Sequence, residues 1–341
     1  MNQQNQIQYV EQDAERMIRT GAISRAQRRA RNWMILYPFS LTAFAVGLAV
    51  AVGVVVKNGP DAGKAMGGLA ILLAMPVEIF RRKMQKARGE YRRSFKQVYV
   101  QSFLKPFFSD LSFQSYRGIA WADIAGTMIF YSKREALREP RCDWTHHPLA
   151  ICTNDYICAA YKDVRFEESD VRIKRHRFSH LYETVFQGYT VFRGQWMIFH
   201  FNKRFKGNIM IVQRGFRNTK LGGFHLDRNR FQSLEMESEV FNREFRVYAQ
   251  NAHTAFYLIT PPLIERIQKL AAQSRGKLLF CFSNHQLHIV IQSQKDIFEP
   301  GSPFRRVHDE LLTQKIRSEI EAITGIVDEL SLNGNLFVKE D

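Results

Sequence analysis

Cysteine is scarce: Cys142, Cys152, Cys158 and Cys281 are the four in 341 residues, and no two form a CxxC pair. That scatter argues against a disulfide framework and against the tight cysteine pairs of structural zinc sites. Reduced thiols of this kind fit a cytosolic compartment. Also missing are HExxH, GxSxG, GxxxxGK and a dinucleotide fingerprint placed after a strand, so the sequence assigns no catalytic residue and no cofactor and leans away from an enzyme. A signal peptide is lacking too, because MNQQNQIQYVEQDAER is polar and acidic and the first apolar run is too long for its central region.

What is present is hydrophobic and basic. At 45% hydrophobic and 13% aromatic residues the chain is no disordered polyelectrolyte. Its formal charge of +16 is concentrated early: residues 1–100 hold 16 Lys/Arg against 6 Asp/Glu. Most of that excess flanks two apolar runs, which makes anionic lipid the first partner to expect and nucleic acid a weaker one.

The first run, Trp33–Val56, is 24 residues without a charge. About 20 such residues span the hydrocarbon core, so it reads as a transmembrane helix, with Trp33 and Tyr37 at its interfacial end. Lys57–Lys64 (KNGPDAGK) reads as a turn. The second run, Ala65–Phe80, has only 13 residues before Glu78, roughly 20 Å of helix. Charge decides between a span and a re-entrant segment. Arg19, Arg25, Arg28, Arg29 and Arg31 precede the first run, and Arg81, Arg82, Lys83, Lys86, Arg88, Arg92 and Arg93 follow the second. A single span would leave one of those groups on the wrong side. The expectation is a two-pass hairpin in a bacterial inner membrane with both termini cytoplasmic, and with Arg25, Arg28, Arg29, Arg31, Arg81, Arg82 and Lys83 facing lipid headgroups.

Four regions follow from this: a basic N-terminal helix over 1–32, the hairpin over 33–80 (spans 33–56 and 65–80), an amphipathic connecting helix over 81–108, and a cytoplasmic α+β domain over 109–341. The connecting helix has Met84, Tyr91, Phe95, Val98, Tyr99 and Phe103 on one stripe. In the domain, Gly118–Tyr131 predicts a short helix and a loop. Short β-branched and aromatic runs predict antiparallel strands at Ile157–Tyr161, Val164–Glu168, Asp170–Lys174, Glu183–Phe186, Tyr189–Phe192, Trp196–Phe201, Asn208–Val212 and Phe245–Tyr248, with a turn at Arg193-Gly194. Thr260 is placed to cap a helix that opens on Pro261. Lys277–Phe282 and Gln286–Gln292 form a hairpin, and residues 304–330 a last helix with Leu312, Ile316, Ile320 and Ile323 on one stripe. The fold class expected is a membrane-anchored, mixed and mainly antiparallel α+β protein.

Several of these segments form a recognisable set: F-x-V-Y at Phe245–Tyr248, Ala255–Pro261 with Ile264–Arg266, F-E-P at Phe298–Pro300, and Val327–Asn333. Upstream are Asp155-Tyr156, Val164–Glu168, Phe186–Gly188 and Asn202–Gly207. Over about residues 110–337 the chain resembles the bacterial domain-of-unknown-function family three-one-three-seven. The resemblance implies paired N-terminal membrane helices and a cytoplasmic α/β domain, and brings no catalytic residues with it. Asn154 stands where that pattern would have an acid.

Candidate chemistry is sparse. Cys142, His146, His147, Cys152 and Cys158 are metal-ligand types close in sequence, but without tight zinc spacing they read as an exposed loop and buried thiols, so no metal is expected. Glu167 and Glu168 share a strand and so point to opposite faces. Asn251, His253 and Glu299 are the ligand candidates, each with an ordinary loop or turn role as the alternative. Basic and aromatic residues alternate between Arg172 and Arg217, as in single-strand nucleic-acid binders, though an amphipathic sheet has the same texture. The expected role is a membrane-tethered interaction or scaffold module with a protein partner or a second copy of itself. The alternatives are a ligand sensor or enzyme with a site assembled in the soluble domain, and a binder of anionic lipid or nucleic acid.

Overall fold

The computed structural model describes residues 21–58, 61–129, 149–178, 185–200, 207–216, 230–274, 276–293, 298–304 and 310–330. The Cys142–His147 stretch, the expected helix before residue 21 and the aromatic-basic segments around 201–206 and 217 lie outside them. The chain divides into two compact units, Met1–Phe103 with Phe298–Lys315, and Leu104–Ile297 with Ile316–Asp341.

The first unit is built on two long helices, α1 (Ala22–Asn58) and α2 (Asp61–Phe95). Both reach into the expected Lys57–Lys64 turn. α2 passes without a break from the second apolar run into the basic stretch after it, then through a π-helical turn at Lys96–Val100 into α3 (Gln101–Leu104). Trp33 and Phe80 meet edge to face at 5.4 Å, and the Lys83 ammonium sits 5.1 Å from the Trp33 ring centre. Arg29 pairs with Glu90 at 3.0 Å. Among the described residues α1 is the one helix long and apolar enough to cross a membrane, and almost none of its apolar stretch is buried. Phe39, Val46 and Val56 are 67%, 64% and 80% exposed.

The second unit is a nine-stranded antiparallel sheet: β1 (Ser109–Gln114), β2 (Leu149–Tyr161), β3 (Val164–Phe178), β4 (Val185–His200), β5 (Ile209–Gln213), β6 (Gln232–Leu234), β7 (Phe245–Ala249), β8 (Lys277–Ser283) and β9 (Gln286–Gln292), in spatial order β1-β2-β3-β4-β9-β8-β5-β7-β6. Among the described residues its helices are α4 (Trp121–Gly126), α5 (Glu239–Glu244), α6 (Ala252–Leu258), α7 (Pro261–Gln273) and the greater part of α8 (Glu310–Glu329).

Three strands are longer than their sequence signals: β2, which starts at Leu149 rather than Ile157, β3 and β4. Val164–Glu168 and Asp170–Lys174 are one strand, and Arg193-Gly194 is no turn but lies inside β4, opposite Arg172 and Val171. The glycine is there for space: a Cβ on it would stand 2.0 Å from the Ile291 carbonyl oxygen of neighbouring β9. β2 and β3 join through Lys162-Asp163, both at positive φ (48° and 66°), the conformation of a type I′ hairpin turn. Ser238 caps α5 by accepting from the Phe241 amide at 3.3 Å. Thr260 occupies the N-cap of α7 without a side-chain hydrogen bond, leaving Pro261 to set the helix entry.

Alternation along the strands gives each face its own core. One face carries Val171, Ile173, Trp196, Ile198, Met210, Leu279 and Val290, packed with Ile119, Ile124 and Ile129 from in and around α4. On the other, Phe166 meets Phe108 edge to face at 5.2 Å, and α8 reaches the sheet where Gln195 donates to Glu319. Burying a large apolar side chain is worth about 1.5–3 kcal/mol, so it is this double coverage that holds so wide a sheet together.

Candidate functional site

The polar residues most open to chemistry gather where β2, β3, β4 and β9 end beside α4. Glu167 on β3 is directly opposite Cys158 on β2, and Tyr156, two residues earlier, shares that face. The Tyr156 hydroxyl donates to Glu167 Oε2 at 2.8 Å, and His200 Nε2, at the end of β4, lies 2.9 Å from Glu167 Oε1. Asp123 enters from the first turn of α4 and pairs with Gln286 at the start of β9, opposite His200. The Cys158 sulfur is 4.0 Å from the Arg165 guanidinium. A bulge in β2 begins at Asp155, whose φ is 58°, and the Tyr156 amide is held there by the Arg117 carbonyl at 3.2 Å.

The electrostatics separate the two carboxylates. The His200 hydrogen bond holds Glu167 below the usual carboxylate range against the opposing effect of burial, with Tyr156 assisting. Burial raises Asp123, and the Glu167 charge raises it further. Burial and the Glu167 hydrogen bond push the Tyr156 phenol up. Glu167 is 19% and His200 33% exposed at the side chain, so solvent reaches the group. The arrangement is an ionised carboxylate orienting an imidazole next to a second, more basic carboxyl. It can exchange protons with a polar ligand or hold one by hydrogen bonds. Among the described residues no group of three His, Cys, Asp or Glu side chains could hold a metal ion.

Glu167 supports a direct prediction. A carboxyl with a depressed folded pKa contributes stability that is present above its unfolded value and lost as pH falls through the folded one. His200→Ala removes the largest depressing interaction, the hydrogen bond to Glu167. Thermal unfolding followed between about pH 3 and 5 should show a smaller loss of midpoint on acidification in the variant than in the wild type.

Most of the residues singled out from sequence have partners within the protein. Asn251 is the N-cap of α6, accepting from the Thr254 amide at 3.1 Å. His253 is exposed on the same helix. Glu299 belongs to the first unit, where it pairs with Arg92 at 2.8 Å and with the buried Lys96 at 3.0 Å. Of the basic residues assigned to lipid, Arg81 and Arg82 both bind Glu78 (2.6 and 2.8 Å), Arg29 binds Glu90, and Arg25 donates to the Gly21 carbonyl at 3.1 Å. Arg28 and Arg31 are exposed. The rings of Phe192, Trp196 and Phe199 are buried and present no face to a nucleic-acid base. Sequence reasoning missed His200, Tyr156 and Asp123, which lie 33, 11 and 44 positions from Glu167 and form no local motif.

Residues 190–332 match the family described as Protein of unknown function (DUF3137). The chain resembles that family. The DUF3137 match begins inside β4 and ends just past α8, so it takes in His200, Gln195 and Glu319 but not Asp123, Tyr156 or Glu167. A comparison with curated proteins finds no match. Among solved structures, the crystal structure of the mycobacterial trehalose monomycolate transport factor A, TtfA, matches with a TM-score of 0.28 and 7% identity, covering 62% of this chain and 92% of that one. A likeness of that size carries nothing about function.

Proposed function

We propose that the chain is a two-pass membrane protein that holds its antiparallel sheet domain on the cytoplasmic face of a bacterial inner membrane, where the domain binds a protein partner. The observation that carries the anchor is α1, a long apolar helix with almost none of its apolar stretch covered by protein. Apolar surface of that extent is unfavourable in water and favourable in hydrocarbon. The second span takes its support from the helical continuity of α2 across the weaker apolar run and from the basic residues beyond it. Single cysteines in a cysteine-free background test the topology. At Gly59 the thiol should react with an impermeant maleimide in intact spheroplasts, and at Arg88 only after permeabilisation. Labelling of both, or of Arg88 alone, would overturn the arrangement. Crosslinking in intact membranes tests the partner, with a discrete heavier species expected and monomer alone counting against it.

A second reading, a small-ligand or acid–base site in the domain, is favoured by one observation: the half-buried Tyr156–Glu167–His200 arrangement with Asp123 beside it. Chemical-shift changes confined to these residues on addition of a metabolite library would support it.

A further inference from the structure

A second polar constellation lies on the opposite face of β3, away from His200. Glu168, Gln195 and Glu319 are 1%, 4% and 3% exposed. The Gln195 side-chain amide donates to Glu168 Oε1 at 2.9 Å and also to Glu319 Oε1. One amide nitrogen thus draws together carboxyl groups from β3 and from α8. Glu168 Oε2 is buried and accepts no hydrogen bond. The surroundings are apolar: in register beside Glu168 stand Ile157 on β2 and Met197 on β4, beside Gln195 stands Ile291 on β9, and Ile316 and Ile323 flank Glu319 one turn away on α8. The groups facing Glu168 are Gln195, Glu319 and Asp170, the last two residues further along β3. Arg172 and Arg193 follow on that face, opposite one another and nearer the far end of the strands.

We propose that Glu168 and Glu319 share one proton, and that this proton fastens the Ile316–Glu329 part of α8 to the sheet. Two ionised carboxylates drawn onto one amide nitrogen at this depth repel each other strongly. A proton on one turns repulsion into an O–H···O⁻ hydrogen bond and gives Glu168 Oε2 the partner it otherwise lacks. Burial, then the neighbouring Glu319 and Asp170 carboxyls, push Glu168 well above the usual carboxylate range. The folded state therefore keeps a proton that the undocked state releases. Docking is strongest below the ordinary carboxyl pKa and weakens as pH rises toward the folded value, by up to about tenfold in the docking equilibrium per pH unit. α8 becomes a pH-sensitive clasp.

Hydrogen exchange of the full chain in detergent micelles, corrected for intrinsic rates, reads this directly. Peptides from Ile316–Leu330 should lose protection by about tenfold per pH unit over part of the range above about pH 4.5. Glu168→Gln and Glu319→Gln should each flatten that slope, since one carboxylate held by two amides needs no shared proton. Infrared spectra of the wild type at neutral pH should show a protonated carboxylic-acid band that either variant removes. PH-independent protection in the wild type, a slope that survives in both variants, or absence of the acid band would overturn the proposal. If one variant fails to fold, the other and the wild-type spectrum decide.

Discussion

Val46→Asp combined with Val50→Asp should release the protein from the membrane fraction under alkaline carbonate extraction, where the wild type stays in the pellet. The two valines lie one helical turn apart on α1 and are 64% and 60% exposed. Neither supports packing within the unit, so in water the double substitution would leave the fold nearly untouched. In a bilayer each aspartate near the helix centre costs about 2.5–3.5 kcal/mol on insertion scales, so together they cost roughly 5–7 kcal/mol. That is enough to defeat insertion of a helix whose apolar residues each gain only about 0.3–0.6 kcal/mol. The same positions changed to Leu provide the control, since insertion should be kept or improved. Equal retention of the aspartate variant would show that the pellet reflects association with other proteins rather than insertion of α1.

How far this molecule was legible in its sequence depends on the range of the forces involved. α1 was visible as a long apolar helix because 24 residues run without a charge or a strong breaker cluster. The antiparallel character of the domain was visible because β-branched and aromatic runs alternate over short distances. The lengths of β3 and β4 were not, because both strands carry polar residues, Glu168, Ser169 and Gln195, in their buried middles, where side chains and amides distant in sequence, from Ile119 to Glu319, meet them. Gly194 imitates a turn signal for a similar reason: the need for a glycine is set by β9, almost a hundred residues later. The β2–β3 turn escaped because Lys162-Asp163 adopts a conformation usually given to Asn-Gly. Opposite facings for Glu167 and Glu168 followed from strand geometry alone, and the two lead to two separate polar networks. Their partners His200 and Glu319 could not be read locally. Asn251, a ligand candidate by its place between a strand and an apolar segment, caps a helix, a common use of that residue type.

Trp196→Ala should be the most damaging single substitution in the sheet domain, costing about 3–5 kcal/mol and shifting the urea midpoint of the full chain in mild detergent accordingly. Trp196 is fully buried on central strand β4 and packs edge to face on Phe192 at 6.2 Å. Its indole N–H donates to His288 Nδ1 on β9 at 3.2 Å. Burial pushes His288 down to about 3, so the ring stays neutral and its Nδ1 is free to accept. Removing the indole leaves a cavity and also strands that nitrogen without its donor. Trp196→Phe separates the two losses: most of the packing remains, and the missing hydrogen bond alone costs about 1–3 kcal/mol. His288 adds a pH signature. With its folded pKa depressed, its contribution is present above the unfolded value near 6.5 and is lost as pH falls from there toward about 3. Across that window the wild-type domain should therefore lose stability on acidification relative to His288→Gln, which keeps an acceptor for the indole, carries no charge and retains every other titrating group; the two slopes should differ by up to about one proton. An unchanged slope would show that His288 is solvated rather than sealed beneath Trp196.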